Sequence, residues 1–281
     1  MPALTAQANA KVNLGLRIIG RQPDGYHLLH TLFAEIGYGD TITLTDAAPG
    51  QISLEVSGPQ AAKVPKDESN LCLAAAHLLR QETGHAGGVH IALDKQVPPG
   101  SGLGGGSSDG AAVIKGLNEL WGTGVSIDNM ELLAAELGAD VPFFIRGKAQ
   151  LGEGVGDRLS PVTLAENPAV VLVMPPLQID TAWAYGLFAE RTEFPESHDF
   201  GEIAEASAIR WDRLQNDFEE VVFPHHPQLG KIKVALLSAG AVYAGLSGSG
   251  SAVIGLFDSP PDNLSSTDFG EAEIIKTQLI R

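Results

Sequence analysis

The run Pro98-Pro99-Gly100-Ser101-Gly102-Leu103-Gly104-Gly105-Gly106-Ser107-Ser108-Asp109 restricts the architecture of this chain more than any other stretch. Glycines carry no Cβ and tolerate positive φ, so the backbone here can turn sharply and present successive N–H groups on one side. A strand pattern, Gly88 to Leu93, precedes the run, and a helical pattern from Gly110 to Leu120 follows it. A glycine-rich turn from strand into helix forms a concavity of amides backed by the positive end of the helix dipole. That concavity suits a polyphosphate. The run lacks the Gly-Lys-Ser/Thr of a P-loop. Gly100, Gly102 and Gly105 satisfy the G-x-G-x-x-G spacing, but the dinucleotide fingerprint belongs on the first strand of its domain and this one follows residues 1–97. A flexible linker has no reason to sit between a strand and an apolar helix, and Ser107-Ser108-Asp109 reads as a helix start.

A chain of 281 residues has room for one large domain or two ordinary ones, and 44% hydrophobic with 19% charged residues describes a soluble globular protein. Its single cysteine, Cys72, cannot close an intramolecular disulfide and lies in the apolar helical run Asn70 to Ala76, where packing is its expected role. The first residues show no basic stretch followed by an apolar core, and no apolar run approaches the roughly 20 residues that span a bilayer. A cytoplasmic location without membrane contact is expected. The net charge of −16 argues against nucleic acid, whose phosphates demand a basic footprint. An acidic chain that binds a polyphosphate must use local means: oriented amides, a helix end, a few lysines and a divalent cation. Screening over about 8 Å at physiological salt leaves those local contributions in control.

Near the N-terminus Ala10 to Ile18 alternates as a strand, with Val12, Leu14, Leu16 and Ile18 on one face. Lys11, Asn13, Gly15 and Arg17 take the other, half-solvated face, and Lys11 and Asn13 project side by side from a rigid element. Pro23 to His27 reads as a turn, and Thr41–Leu44 with Gln51–Val56 as a meander. Helices are expected over 70–82 and over Ile127–Leu137, the second capped by Ser126 and stopped at Gly138, with Asp140 just beyond. A second half begins near residue 160: a buried strand Val170–Met174, a short helix capped by Asp180-Thr181, and a charged surface excursion over 190–209. Helices near 211–222 and 227–238, strands 241–245 and 251–257 joined through Leu246 to Gly250, and a last helix over 268–280 complete it. This order suggests an α+β module with helices on one side of an antiparallel sheet.

These strings resemble the GHMP kinase superfamily, whose three motifs occur in this chain order over nearly the full length. The resemblance is carried by Ala10-Lys11-Val12-Asn13-Leu14, Asp24-Gly25-Tyr26-His27, Gly102 to Ser108, Leu137 to Phe144 and Leu246 to Ser251. It implies a two-domain α+β fold. Residues 1–160 would form a ribosomal-protein-S5-like, ATP-binding domain and residues 161–281 a ferredoxin-like domain, with the active site in the cleft between them. The Asp-Gly-Tyr-His and Gly-Ala-Asp-Val-Pro-Phe-Phe strings point to the branch that phosphorylates the 2-hydroxyl of a cytidine-diphosphate-linked methylerythritol in non-mevalonate isoprenoid synthesis. One departure is Gly110, where the family usually has alanine; it removes no chemical group.

By the same resemblance Lys11 and Asp140 are the catalytic pair, Lys11 steering the acceptor oxygen and Asp140 taking its proton. Pro98, Pro99, Gly100, Ser101, Gly102, Leu103, Gly104, Gly105, Gly106, Ser107 and Ser108 hold ATP, with the hydroxyl of Ser107 or Ser108 near the phosphates or Mg²⁺. Asn13, Tyr26, His27, Thr181 and Tyr185 bind the acceptor, Tyr26 by stacking on the cytosine and Tyr185 either as a second stacking face or as core. Adjacent His225 and His226 have poor spacing for metal ligands and read as surface; no Cys/His cluster suggests a protein-held metal. No obligatory protein partner is evident. Two other readings are a GHMP-type kinase for another alcohol, such as homoserine or mevalonate, and a catalytically silent nucleotide-binding protein.

Overall fold

The computed structural model describes residues 2–189, 191–195, 200–205, 209–259, 261, 264 and 269–281. Two long strands, β1 (Ala3–Arg21) and β2 (His27–Ala47), open the chain and pair with each other. The turn between them is closed by Gln22 N–H donating to the Tyr26 carbonyl at 2.7 Å and Tyr26 N–H donating to Asp24 Oδ1 at 3.1 Å. β3 (Ile52–Ser57), α1 (Leu71–Thr83), β4 (Gly88–Asp94), α2 (Gly105–Leu120), α3 (Ile127–Leu137) and α4 (Phe143–Arg146) follow. Then come β5 (Ala149–Glu153), β6 (Arg158–Pro161), β7 (Ala169–Met174), α5 (Thr181–Gly186), α6 (Phe200–Glu205), α7 (Phe218–Val222) and α8 (Pro227–Ser238). β8 (Tyr243–Leu246), β9 (Val253–Phe257) and β10 (Glu273–Gln278) end the order. Several boundaries are set by caps readable in the sequence: Asn70 Oδ1 accepts from Cys72 N–H, Ser126 Oγ from Asn129 N–H and Asp180 Oδ1 from Trp183 N–H.

The first compact unit comprises residues 1–10, 38–99 and 104–147. In it β4 lies between β2 and β3, antiparallel to the first and parallel to the second, so β2 and β3 do not form the expected meander. The apolar faces of α1 and α2, with Cys72, Ala75, Leu79, Val113, Ile114 and Leu117 buried, pack together and supply the core over Ile42, Leu44, Val89 and Ile91. α2 begins at Gly105, earlier than expected, so the end of the glycine run is already helical. Beneath its first turns lies a buried ion triad. Lys95 Nζ donates to Asp40 Oδ2 and to Asp109 Oδ2, each at 2.5 Å. The other Asp40 oxygen accepts from the backbone N–H groups of Gln96 and Val97 at 2.5 and 2.8 Å. Burial holds the Asp109 carboxyl well above the usual carboxylate range, which the Lys95 charge only partly offsets. For Lys95 burial acts downward, but Asp109 and Asp40 outweigh it and its ammonium is held above the ordinary lysine value.

The second unit comprises residues 11–37, 100–103 and 148–281. Its four-stranded antiparallel sheet runs β10-β7-β9-β8, and β2 also pairs here with β5, which pairs with β6. Val171, Val173, Val253, Leu246, Leu229, Ile232, Leu236 and Phe218 share its core. Where a last helix was expected, residues 273–278 form β10 against β7, from Glu273 opposite Met174 to Gln278 opposite Ala169. The β-branched Ile274, Ile275 and Thr277 suit a strand, and pairing with a buried neighbour overrides the local helical pattern. β1 is also buried on the face expected to be half-solvated: Phe200 of α6 lies so close that a Cβ on Gly15 would sit 2.8 Å from its ring. Phe200, Ile203, Ala204 and Ile209 are buried whereas Thr192, Glu193 and Glu202 are exposed, so the described part of 190–209 is in part core and not wholly a surface excursion; 190, 196–199 and 206–208 lie outside the described residues. Arg17 likewise is paired, donating to Gln215 Oε1 and facing Asp217 at 2.9 Å. The helix expected over 211–222 divides into a 3-10 turn at Trp211–Arg213 and α7, because extended Asn216 bridges to Leu16 between them.

Replacing Lys95 with Met removes the one cation from two buried carboxylates while keeping side-chain length. Lys95→Met is expected to cost about 3–5 kcal/mol, read as a lower urea midpoint with unchanged m. An unaltered midpoint would show that the triad contributes nothing to stability.

Candidate active site

The glycine run is divided between the two units: Pro98, Pro99 and Gly104 to Ser108 belong to the first, and Gly100 to Leu103 to the second. Gly100, Gly102 and Gly104 all have positive φ, at +68°, +78° and +70°. Two of the glycines serve the protein's own packing. A Cβ on Gly102 would lie 2.0 Å from the Ser247 carbonyl oxygen, and one on Gly105 would lie 2.8 Å from Val97 and 3.1 Å from Lys95 Nζ. Gly106 is exposed, and a Cβ there would meet only Leu71 at 4.0 Å. The first helical bond of α2 runs from Ser108 N–H to the Gly104 carbonyl at 2.9 Å. The amides of Gly105, Gly106 and Ser107 therefore precede the hydrogen-bonded ladder, with no side-chain cap from Gly104 and no acid in the first turn. Such a helix start attracts an anion.

The two serines differ. Ser108 is buried and donates to the Asn9 carbonyl at 2.6 Å, whereas Ser107 is only half-buried. Ser101 and Leu103 act through their carbonyls, accepting from Ala252 N–H at 3.0 Å and Lys11 N–H at 2.9 Å. Among the described residues no group of three His, Cys, Asp or Glu side chains could hold a metal ion.

In the second unit, Lys11 is 5% and Asn13 1% exposed. Lys11 Nζ donates to Asn13 Oδ1 at 2.6 Å and lies 5.1 Å from the centre of the Phe33 ring. Asn13 N–H donates to Ser247 Oγ at 3.3 Å, and Ser247 Oγ donates to the Gly102 carbonyl at 2.9 Å. Asn216 Nδ2 donates to the carbonyls of Leu246 and Gly248 at 2.9 and 2.8 Å, holding the loop that carries Ser247. The hydroxyls of Thr181 and Ser249 lie 3.1 Å apart. Sequence reasoning singled out the 247–251 loop but assigned it no role, and it passed over Thr31, Phe33 and Asn216. Phe33 and Thr31 share a face of β2, a period-two signal that gains meaning only once β1 is seen to be covered.

His27 stacks on Tyr185 with ring centroids 5.2 Å apart and planes 18° from parallel, and meets Phe188 edge-on. Tyr185 also meets Phe218 edge-on at 4.9 Å, so it both stacks and packs into the core. Tyr26 stands 66% exposed next to His27 in sequence. His27 Nε2 is buried without a hydrogen-bond partner, and burial, followed by the nearby Arg21 charge, lowers the imidazole below its ordinary 6.5. The second unit thus brings Lys11 together with Asn13, His27 with Tyr185, and Thr181 with the 247–251 loop. Asp140 belongs to the first unit, partly exposed in the turn between α3 and α4. His225 is exposed and His226 half-buried; both meet Trp183 edge-on, at 5.3 and 5.6 Å.

Comparison with known proteins places these features in a family. Residues 70–148 match the GHMP kinases N terminal domain and residues 190–278 match GHMP kinases C terminal. A protein of Chlorobium luteolum named 4-diphosphocytidyl-2-C-methyl-D-erythritol kinase is 44% identical over 270 residues, 93% of this chain and 91% of its own length. A protein of the same name from Chlorobium phaeobacteroides is 43% identical, covering 92% of this chain and 88% of its own. A crystal structure of 4-(cytidine 5'-diphospho)-2C-methyl-D-erythritol kinase aligns with a TM-score of 0.84 at 33% identity, covering 98% of this chain and 99% of that one. Homoserine kinase from Cytophaga hutchinsonii shares the fold, with a TM-score of 0.70 at 18% identity over 100% of this chain and 95% of its own. The chain belongs to the GHMP kinases, in the family of these 4-diphosphocytidyl-2-C-methyl-D-erythritol kinases.

Proposed function

We propose that this kinase transfers the γ-phosphoryl group of ATP to the 2-hydroxyl of 4-diphosphocytidyl-2-C-methyl-D-erythritol, as a cytoplasmic enzyme of non-mevalonate isoprenoid synthesis. The observation that carries the choice of acceptor is the His27–Tyr185 stack with exposed Tyr26 beside it. Flat aromatic surfaces with an unpartnered ring nitrogen suit a cytosine base, and neither homoserine nor mevalonate contains a ring.

Phosphoryl transfer asks the protein mainly for positioning and charge stabilisation. The triphosphate is assigned to the glycine run, where the amides of Gly105, Gly106 and Ser107 supply donors without a counter-charge. Ser107, with its hydroxyl less engaged than that of Ser108, is the better candidate to face the phosphates. Mg²⁺ bound with the nucleotide would supply charge neutralisation at the phosphates, and Ser107 or Ser108 would be the hydroxyl nearest to it. Asp140 accepts the proton of the acceptor hydroxyl as its oxygen bonds to phosphorus and the bond to the departing ADP breaks. Lys11, already desolvated against Phe33 and held by Asn13, offers its ammonium to the oxygen that is losing its proton. Asn13, Thr181 and Tyr185 are assigned to the acceptor along with Tyr26 and His27.

Incubation of the purified protein with ATP, Mg²⁺ and a panel of alcohols, read by product mass, is expected to phosphorylate the cytidyl acceptor. Phosphorylation of homoserine or mevalonate in its place would overturn the assignment. Lys11→Ala and Asp140→Asn are each expected to lower kcat by about 10²–10⁴ while ATP affinity stays within severalfold.

Tyr26→Ala should weaken acceptor binding by about 1–3 kcal/mol, seen as a raised KM for the acceptor. An unchanged KM would remove Tyr26 from the site.

Because the folded state lowers the His27 pKa, it favours neutral imidazole. The resulting stability is fully present above 6.5 and is lost as pH falls through the folded value. Melting temperature is therefore expected to fall between about pH 7 and pH 5, and less steeply in His27→Gln. Equal slopes in the two proteins would show that His27 does not contribute.

A further inference from the structure

The orientation of the Asn13 amide is forced by its neighbours. An ammonium only donates, so the Asn13 atom 2.6 Å from Lys11 Nζ is its carbonyl oxygen. The NH₂ group then points away from Lys11 and needs an acceptor, which it finds in Thr31 Oγ1 at 2.8 Å. Thr31 has one proton to give, and that goes to the Gly15 carbonyl at 2.7 Å. A lone pair therefore faces Asn13. The chain of bonds runs one way, from Lys11 through Asn13 and Thr31 to the backbone of β1. Lys11 is 5%, Asn13 1% and Thr31 0% exposed, so water cannot readily substitute for a missing member. Turning the amide over would set NH₂ against an ammonium and a carbonyl against a hydroxyl already committed elsewhere.

We infer that Thr31 is a positioning residue for phosphoryl transfer: its hydroxyl fixes the orientation of the Asn13 amide and thereby the place of the Lys11 ammonium. The inference rests on the role proposed for Lys11. Thr31 touches neither substrate nor nucleotide in this account and acts only through Asn13. Its neighbour on the same face of β2, Phe33, supplies the apolar side of the Lys11 seat. Two adjacent positions of one strand face thus shape the surroundings of a side chain on the next strand.

Thr31→Val preserves shape and removes the hydroxyl; Thr31→Ser keeps the hydroxyl and removes a buried methyl. Thr31→Val is expected to lower kcat about tenfold or more with KM for ATP within threefold. Thr31→Ser should retain kcat within about threefold even though its melting temperature falls. That inversion, in which the variant with the buried gap is the active one, would not arise from a purely structural role. If Thr31→Val does not fold, Thr31→Cys takes its place under the same criterion, since a thiol is a weak donor and acceptor. Lys11→Ala is measured in the same assay. If it is inactive while Thr31→Val (or Thr31→Cys) matches the parent, the positioning role is overturned and the role of Lys11 stands. If Lys11→Ala keeps full turnover, the role of Lys11 falls and the positioning role falls with it.

Discussion

The Ser247 hydroxyl ties together three stretches that lie far apart in the chain. It donates to the Gly102 carbonyl, accepts from Asn13 N–H, and belongs to the loop joining β8 to β9. The approach is so close that a Cβ on Gly102 would sit 2.0 Å from the Ser247 carbonyl oxygen, and only glycine combines that contact with φ of +78° without strain. Asn216 holds the same loop from the other end through two carbonyls. The glycines of the 98–108 run therefore have two duties. At Gly102 and Gly105 the absent side chain makes room for protein, whereas at Gly106 the helix start is open to solvent.

The two units stabilise buried polar groups in different ways. In the first, Lys95 bridges two carboxylates, and burial holds the Asp109 carboxyl above the usual range while the Lys95 charge pulls it down. In the second, the Asn13 amide oxygen and the face of the Phe33 ring lie beside the Lys11 ammonium. The amide helps to set where that ammonium stands.

Local chemistry was legible in the sequence and tertiary context was not. The caps Ser126 and Asp180 each act where their type and spacing suggested, because capping involves only neighbours within three residues. Lys11 and Asn13 stood out by alternation, yet their surroundings are made by Phe33 and Thr31 of β2 and by Ser247, which lies more than 230 residues later. β10 was mistaken for a helix because its partner β7 decides the matter, and the insertion of β4 between β2 and β3 is likewise a pairing choice that no short window encodes. The 211–222 segment is broken at Asn216 because its side chain has backbone partners near residue 247, a contact no propensity anticipates.

A chain of net charge −16 can still hold a triphosphate, since the amides at a helix start are dipoles whose reach is a few ångströms. Those amides cannot tell one acceptor from another, because every alcohol kinase of this fold has the same donor to bind. Discrimination must come from groups that engage the far end of the acceptor. In the function proposed above, that part falls to a ring stack assembled from β2 and α5, with an exposed tyrosine at the turn that opens β2. Binding energy gained at that distant ring holds the hydroxyl in place while the reaction proceeds, so a truncated acceptor lacking the base should lose turnover as well as affinity.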